Sequence, residues 1–156
     1  MKWIAALVLV VLAGTASAEN EGMTVPVNAK WKEECSSCHV AYPPRLLARE
    51  DWRELMSRLD RHFGVDASLE PAEQREILDF LERHAGRGAH HESRTLRISD
   101  TPWFRHAHRE VPRAAWAQGK VRSRSNCTAC HVDAERGNWS EDDIRVPGGY
   151  DDEDDD

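Results

Sequence analysis

The chain has 156 residues and a formal net charge of −7, with 40% hydrophobic and 31% charged residues. This length suits one compact domain or two small ones, and the acidic balance gives no sign of a nucleic-acid partner. Most of the charge is terminal, because residues 151–156 are all acidic and residues 19–150 carry a net charge of only −2. A block of six acids repels itself, so residues 148–156 are predicted to form a disordered acidic tail.

The first 18 residues have the pattern of a secretory signal peptide. Lys2 precedes an apolar run that ends at Ala13, and an Ala-X-Ala cleavage site ends at Ala18. This pattern predicts cleavage after Ala18 and export to the periplasm. The apolar run is too short to span a bilayer comfortably, and no later run approaches the ~20 residues of a membrane helix, so no stable membrane insertion is expected. An uncleaved N-terminal anchor is the alternative.

Residues 19–30 are predicted to form an N-terminal arm, in which Asn28 is a suitable N-cap for a short helix that runs toward Cys35. A longer amphipathic helix is predicted from Asp51, because apolar residues recur at i, i+3, i+4, i+7 and i+11. These residues are Trp52, Leu55, Met56, Leu59 and Phe63. Gly64 is the predicted C-cap of this helix.

Two more helix starts follow along the chain. Pro71 suits the first turn of a helix whose inward face is formed by Ile77, Leu78 and Leu81. Thr101 can cap another helix, with Pro102 at its first position. Both starts rest on local capping chemistry, and no convincing alternating strand pattern appears anywhere in the sequence. The predicted fold is therefore all-α, with long irregular connections.

The predicted helices fall into two small lobes, at residues 31–86 and 97–147. Between them, residues 87–96 are rich in Gly, His and Arg and are predicted to form a linker. Within this linker, the pair His90-His91 is interpreted as a solvated pair or a proton-sensitive contact rather than as ligands.

A Cys-X-X-Cys-His motif occurs twice and uses every cysteine in the chain: Cys35, Cys38 and His39 in the first copy, and Cys127, Cys130 and His131 in the second. In such a motif the two thiols form thioethers to haem, and the adjoining histidine binds the iron from one face. The sequence therefore predicts two covalently bound haem c groups, with His39 and His131 as the proximal iron ligands.

The opposite face of the second iron needs a ligand, and the chain has no methionine after Met56. A helical wheel places His108 about 50° from the centre of the apolar face formed by Trp103, Phe104, Ala107 and Val111. His106 falls on the opposite, charged side. His108 is therefore the predicted distal ligand, with His106 as the alternative.

For the first iron three candidates remain open. His62 flanks the apolar stripe of the helix that begins near Asp51, His84 lies on the inward side of the next helix, and Met56 lies within the stripe itself. His62 is favoured, but the wheel cannot separate the two histidines. Met56 at helical spacing is more often a core residue than a ligand.

Other chemistries fit the motifs less well. Two Cys-X-X-Cys pairs could bind zinc or form disulfides, yet both pairs are followed directly by histidine and lie behind an export signal. A dihaem peroxidase requires an open iron face, a tuned acid-base residue and a far larger chain. A ligand-binding haem sensor or a small peroxidase-like enzyme remains the alternative function if one distal position is open.

The first half of the chain resembles the small periplasmic dihaem cytochrome c family in the string from Cys35 to Leu47, in Trp52-Arg-Glu-Leu-Met and in His62-Phe-Gly-Val-Asp. The second half is similar to it in Arg97-Ile-Ser-Asp-Thr-Pro-Trp-Phe, His108-Arg-Glu-Val-Pro and Asn126-Cys-Thr-Ala-Cys-His. The resemblance extends to Pro147 and leaves the acidic tail outside.

This resemblance implies one bis-histidine haem in each lobe, with a first lobe similar to class I cytochrome c. It favours His62 and His108 as distal ligands, in agreement with the helix-face interpretation. It also implies redox-protein partners, in particular a membrane b-type cytochrome and a small oxygen-binding monohaem cytochrome. The predicted function is outer-sphere electron transfer, because two axial nitrogens per iron leave no site for a substrate. We therefore expect a carrier and not an enzyme.

Overall fold

The computed structural model describes residue 23 and residues 25–148. Five α-helices lie in this part of the chain: α1 Ala29–Cys35, α2 Arg49–Met56, α3 Pro71–His84, α4 Pro102–Ala107 and α5 Arg113–Trp116. Seven 3₁₀ helices lie between and after them, at Pro44–Leu46, Leu59–Arg61, Ala89–His91, Ile98–Asp100, Cys127–Ala129, Ala134–Arg136 and Glu141–Asp143. The described residues contain isolated β-bridges but no strand, so the fold is all-α as the sequence predicts.

Three helix starts agree with the capping residues of the sequence. The Asn28 side chain accepts a hydrogen bond from the Trp31 amide at 2.8 Å and caps α1. Pro71 is the first residue of α3. The Thr101 hydroxyl accepts a hydrogen bond from the Phe104 amide at 3.1 Å, immediately before α4. Asn28 and Thr101 each accept a bond from an amide that the helix start would otherwise leave without a partner. Proline has no amide N–H to satisfy.

The predicted end of the second helix is wrong. Helix α2 stops at Met56. The Ser57 hydroxyl donates a hydrogen bond of 2.7 Å to the Glu54 carbonyl and so competes with backbone amides for that helix acceptor. A 3₁₀ turn then keeps Leu59 buried, whereas Phe63 has a positive φ of 50° and a side chain that is 46% exposed. The apolar stripe therefore ends at Leu59 in the structure.

Helices α1, α2 and α3 surround the larger hydrophobic core. Its buried members are Trp31, Ala41, Leu47, Trp52, Leu55, Met56, Leu59, Ile77, Phe80, Leu81 and Leu96. Ile77 and Leu81 face this core as predicted, and Leu78 packs at its edge. Most of the core comes from the first predicted lobe, while Leu96 reaches it from beyond residue 86.

The segment predicted as a linker is packed against α2 and the turn before it. The Ala48 amide donates to the His91 carbonyl at 3.0 Å, and directly before this segment the Gly86 amide donates to the Leu47 carbonyl at 2.9 Å. A Cβ on Gly86 would lie 2.4 Å from the Arg45 carbonyl oxygen, so glycine is needed here for close approach. His91 is only 6% exposed, so its interpretation as part of a solvated pair is wrong.

The predicted signal peptide, residues 19–22 of the predicted arm, and residues 149–156 of the predicted tail lie outside the described residues. None of the helices in the described part is both long and apolar enough to cross a membrane. The boundaries of the two lobes stay a prediction.

Candidate haem-binding sites

The first Cys-X-X-Cys-His motif begins at the last residue of α1. Cys35 ends the helix, and the Ser36 and Ser37 hydroxyls donate to the Lys32 and Glu34 carbonyls at 2.5 and 2.8 Å. The Ser36 and Ser37 amides bond to the same two carbonyls, so side chain and backbone together turn the chain at the helix end. The turn presents Cys38 and His39 beyond the helix.

The His39 imidazole is held on both of its sides. Its Nδ1 lies 2.8 Å from the Val40 carbonyl oxygen, and its ring stacks on the Tyr42 ring with centroids 4.6 Å apart and planes inclined by 17°. When Nδ1 carries the proton and donates to that carbonyl, Nε2 keeps its lone pair for a metal. The sequence predicts His39 as a ligand, and this hydrogen bond gives the ring the orientation that a ligand needs.

His62 follows the 3₁₀ turn Leu59–Arg61, on the side of the fold that faces His39. The ring centroids of His39 and His62 are 6.2 Å apart, and the ring planes are inclined by 24°. Burial lowers the pKa of His62, and the positive charges of His39 and Arg97 lower it further. The neutral imidazole, which is the form that binds iron, is therefore favoured.

The other two candidates for the first iron lie elsewhere. Met56 is 2% exposed and belongs to the larger hydrophobic core. His84 is the exposed last residue of α3, and its ring contacts Phe80 at a centroid distance of 5.1 Å. Within the described residues, the structure brings the His62 ring to His39 and gives no such ring contact for His84.

The second motif lies in a short 3₁₀ turn, Cys127–Ala129, rather than at the end of an α-helix. The His131 amide donates to the Cys127 carbonyl at 2.8 Å, which brings His131 close above the first cysteine. The Arg145 amide donates to the Cys130 carbonyl at 2.9 Å and ties the motif to the C-terminal turns. The Trp139 ring lies 5.4 Å from the His131 ring and covers one side of it.

His108 is the C-cap residue of α4 and meets His131. The two ring centroids are 6.1 Å apart, with planes inclined by 74°. The Nδ1 atom of His108 lies 2.9 Å from the Phe104 carbonyl oxygen, and its ring stacks on Phe104 at 4.0 Å. His106 is exposed, and its ring nitrogen lies 3.5 Å from a guanidinium nitrogen of Arg109.

The two histidine pairs have the spacing of rings that share one metal ion. An imidazole nitrogen binds a transition metal at about 2 Å, and the ring centre lies about 1 Å beyond that nitrogen, so opposed ligand rings have centres about 6 Å apart. The separations of 6.2 and 6.1 Å agree with this value. Rotation of one ring about the common axis changes the interplanar angle but leaves the separation unchanged. The residues therefore fit a haem iron at each pair.

Burial supports the same chemistry at the second pair. It is the main cause of the lowered pKa of both His108 and His131, so both rings favour the neutral form. The Nδ1 atom of His131 is buried without a hydrogen-bond partner in the described structure. Burial also raises the pKa of the Cys35 and Cys127 thiols to about 11. Both thiols belong to the motifs that contain the predicted proximal ligands His39 and His131.

Two cavities adjoin these residues. A cavity of about 1100 Å³ is lined by parts of both motifs, Cys38 and His39 of the first and Cys127 of the second, and also by Tyr42, Ser125 and Trp139. A second cavity of about 190 Å³ lies beside His108 and Trp116. We call the four exposed arginines that line this second cavity the arginine rim: Arg105, Arg109, Arg113 and Arg124.

Sequence reasoning missed the residues that support the histidines. Tyr42 follows the first motif without a predicted role, and Trp116 and Trp139 belong to no periodic pattern. In the structure, the Trp116 ring lies 5.8 Å from the His108 ring, the Tyr42 ring contacts His39, and the Trp139 ring contacts His131. An aromatic residue three positions after the motif is the signal that could have identified Tyr42. No local pattern could have identified the tryptophans, because their contacts depend on the tertiary fold.

The chain matches the family model described as dihaem cytochrome c over residues 31–139. It is also similar to solved structures: DHC purified from Rhodobacter sphaeroides has 44% identity and a TM-score of 0.63, with 74% of this chain and 99% of that chain covered. The dihaem cytochrome c sb-DHC from Shewanella baltica OS155 has 38% identity and a TM-score of 0.68, with 80% and 96% covered. A comparison with curated proteins gives no significant match.

The family match covers more than half of the chain and includes both Cys-X-X-Cys-His motifs. The solved relatives are covered almost completely and share the helical fold. Zinc binding and disulfide formation are thereby set aside for the four cysteines. The protein belongs to the dihaem cytochrome c family and carries two covalently bound haem c groups.

Proposed function

We propose that the protein is an electron carrier, not an enzyme, in which each haem iron is held between two histidines. The observation that carries this proposal is the pairing of His39 with His62 and of His131 with His108, at ring separations of 6.2 and 6.1 Å. Bound haem supplies reversible one-electron oxidation and reduction. With both axial positions filled by protein nitrogen, no position is left for a substrate.

The chain's own residues keep the two coordination sites constant during electron transfer. Val40 and Phe104 carbonyl oxygens lie within hydrogen-bond distance of Nδ1 of His39 and His108, which leaves Nε2 of each ring free to bind an iron. Tyr42 and Phe104 stack on these same two rings and limit their rotation. A ligand set that does not change between oxidised and reduced states keeps structural reorganisation small, which suits outer-sphere transfer.

Histidine rather than methionine at both distal positions also sets the range of the reduction potentials. Methionine ligation raises a haem potential, and the buried Met56 belongs to the hydrophobic core instead of facing His39. We therefore expect both midpoint potentials to lie below those of His/Met cytochromes.

The partners that suit this role are a redox protein that donates electrons and another that accepts them. The family resemblance suggests a membrane b-type cytochrome and a small oxygen-binding monohaem cytochrome for these roles. The signal-like residues 1–18 support export to the periplasm. N-terminal sequencing of the secreted holoprotein should then begin at Glu19. A retained N-terminus would instead support the uncleaved anchor.

The carrier function is tested by a redox titration combined with ligand addition. We expect the holoprotein to take up and release two electrons per chain reversibly, and its ferrous spectrum to stay unchanged under carbon monoxide. We also expect no rapid consumption of hydrogen peroxide. Rapid carbon monoxide binding by either ferrous haem would contradict the closed coordination and favour a haem sensor. Peroxide turnover would favour a small peroxidase.

A further inference from the structure

Tyr42 connects the two haem-binding motifs. It lies three residues after His39, yet its hydroxyl donates a hydrogen bond of 2.5 Å to the carbonyl of Ser125. This bond spans 83 residues of sequence, and Ser125 lies two residues before Cys127, the first cysteine of the second motif. One side chain therefore joins the proximal side of the first site to the attachment point of the second.

The Tyr42 ring makes an equally direct contact with the first site. It stacks on the His39 ring at a centroid distance of 4.6 Å, with planes inclined by only 17°. A stacked aromatic pair resists sliding and tilting of either ring. Tyr42 thus fixes the orientation of the His39 imidazole with its ring. Through its hydroxyl it also fixes the position of the segment that carries Cys127.

Packing around Tyr42 strengthens this connection. A small hydrophobic cluster is formed by Val40, Ala134 and Trp139, with Tyr42 and Cys127 packed against it. Tyr42 also packs against the larger core around α1, α2 and α3. It therefore contacts both clusters, and it lines the 1100 Å³ cavity that both motifs border. A shift of either motif would disturb Tyr42.

We propose that Tyr42 is a positioning residue that holds the two haems at a fixed separation and orientation and so sets the rate of electron exchange between them. This proposal rests on the proposed electron-carrier function. In the exchange, one electron leaves the ferrous iron of one haem and reduces the ferric iron of the other, and no bond is made or broken. The rate of such a step depends on the distance and relative orientation of the two haems, which are the quantities that Tyr42 constrains.

Two substitutions separate the two contacts of Tyr42. Tyr42→Phe keeps the ring on His39 and removes the hydrogen bond to Ser125, whereas Tyr42→Leu removes both contacts. The matched control is Gln74→Leu. Gln74 donates a similar side-chain hydrogen bond of 2.6 Å to the Met56 carbonyl, and both residues lie in the first predicted lobe, residues 31–86. All three variants are made in the full holoprotein.

The direct readout is the rate of electron exchange between the haems after pulse reduction by one electron, together with the magnetic interaction between the two ferric haems in electron paramagnetic resonance. We expect Tyr42→Phe to slow the exchange several-fold and to change the magnetic interaction, and Tyr42→Leu to do so more strongly. Gln74→Leu should leave both quantities at the wild-type values. All variants should keep two low-spin haems per chain.

Wild-type exchange and magnetic interaction in Tyr42→Phe would overturn the proposal, as would an equal change in Gln74→Leu. If Tyr42→Leu fails to fold, Tyr42→Phe still decides, because it retains the ring. Failure of the carrier function is recognised separately, by carbon monoxide binding to the wild-type protein. The exchange between haems can be measured in either case.

Discussion

The two haem-binding regions are built in different ways. Residues 31–86 contain α2, α3 and most of α1, and they supply thirteen of the nineteen buried hydrophobic side chains of the described structure. Residues 97–147 contain only the short helices α4 and α5 with four 3₁₀ turns, and they supply five. The first region has a protein core of its own, whereas the second buries few apolar side chains, so we expect it to need its haem to complete a core.

The two regions also differ in charge. Residues 31–86 contain eight basic and twelve acidic residues, for a net charge of −4, while residues 97–147 contain nine basic and seven acidic residues, for +2. Within the arginine rim, Arg105 approaches Asp100 at 4.0 Å and Arg109 pairs with Glu110 at 2.7 Å. Arg113 and Arg124 have no ion pair among the described residues. The cavity beside His108 is thus bordered by unneutralised positive charge.

Removal of the second haem attachment should have the largest effect. In Cys127→Ser/Cys130→Ser, we expect residues 97–147 to lose their slow amide hydrogen exchange, because the missing haem removes the apolar body around which this region folds. Residues in α2 and α3 should keep their protection in the same sample. Retained protection at Val121 and Ala134 would show that the second region has a sufficient core without haem.

Substitution of the distal histidines should convert one haem at a time. His108→Ala should make the second haem high-spin and able to bind carbon monoxide in the ferrous state, and His62→Ala should do the same to the first. Absorption spectra with and without carbon monoxide measure both effects. His106→Ala and His84→Ala are the matched controls and should keep the wild-type spectrum. A high-spin haem in either control would refute the corresponding ligand assignment.

Truncation of a buried aliphatic residue should cost more in the first region than in the second. Ile77 is fully buried in the larger core, so Ile77→Ala should lower the free energy of unfolding by about 2–5 kcal/mol. Val121 is 2% exposed but lies outside both hydrophobic clusters, so Val121→Ala should cost less. Denaturant unfolding followed by far-ultraviolet circular dichroism measures both. An equal decrease in the free energy of unfolding for the two variants would contradict the proposed difference between the two cores.

Charge reversal at the arginine rim should change reaction with anions. We expect Arg113→Glu/Arg124→Glu to slow oxidation by ferricyanide by roughly tenfold at low ionic strength, because the rim attracts anions toward the second haem. Added salt should remove most of the difference. The control Arg75→Glu/Arg83→Glu makes the same change in net charge on α3. A control that slows the reaction equally would mean that net charge alone matters.

Loss of the α1 cap should have the smallest effect. Asn28→Ala removes the 2.8 Å bond to the Trp31 amide and should cost about 1 kcal/mol of unfolding free energy. Asn28→Ser should restore most of it, since serine is also a good N-cap. The haem spectra should not change in either variant. A spectral change would show that α1 positions the first haem more directly than its cap suggests.

Local chemistry explains what could be predicted from the sequence. The starts of α1, α3 and α4 depend on Asn28, Pro71 and Thr101, each of which acts on amides within its own first turn. Each Cys-X-X-Cys-His motif can likewise be recognised as a haem-attachment site from five consecutive residues. The wheel favours His108 over His106, and in the structure the His108 ring contacts His131 while His106 is exposed.

The features that the sequence did not predict depend on contacts distant in the chain or on competition within one turn. Ser57 ends α2 although the apolar period continues, because its hydroxyl competes for a helix carbonyl. Gly86, the last residue before the predicted linker, permits close approach to the Arg45 carbonyl, which no local pattern indicates. The bond from Tyr42 to Ser125 joins residues 83 positions apart, and no periodic pattern carries that information.

The central claim is that both regions, despite their different construction, close their iron with a pair of histidines. Near-infrared magnetic circular dichroism and electron paramagnetic resonance of the fully oxidised holoprotein test it most directly. We expect two low-spin haems per chain, both with the charge-transfer band of bis-imidazole ligation. A high-spin signal, or the band of histidine–methionine ligation, from either haem would contradict it.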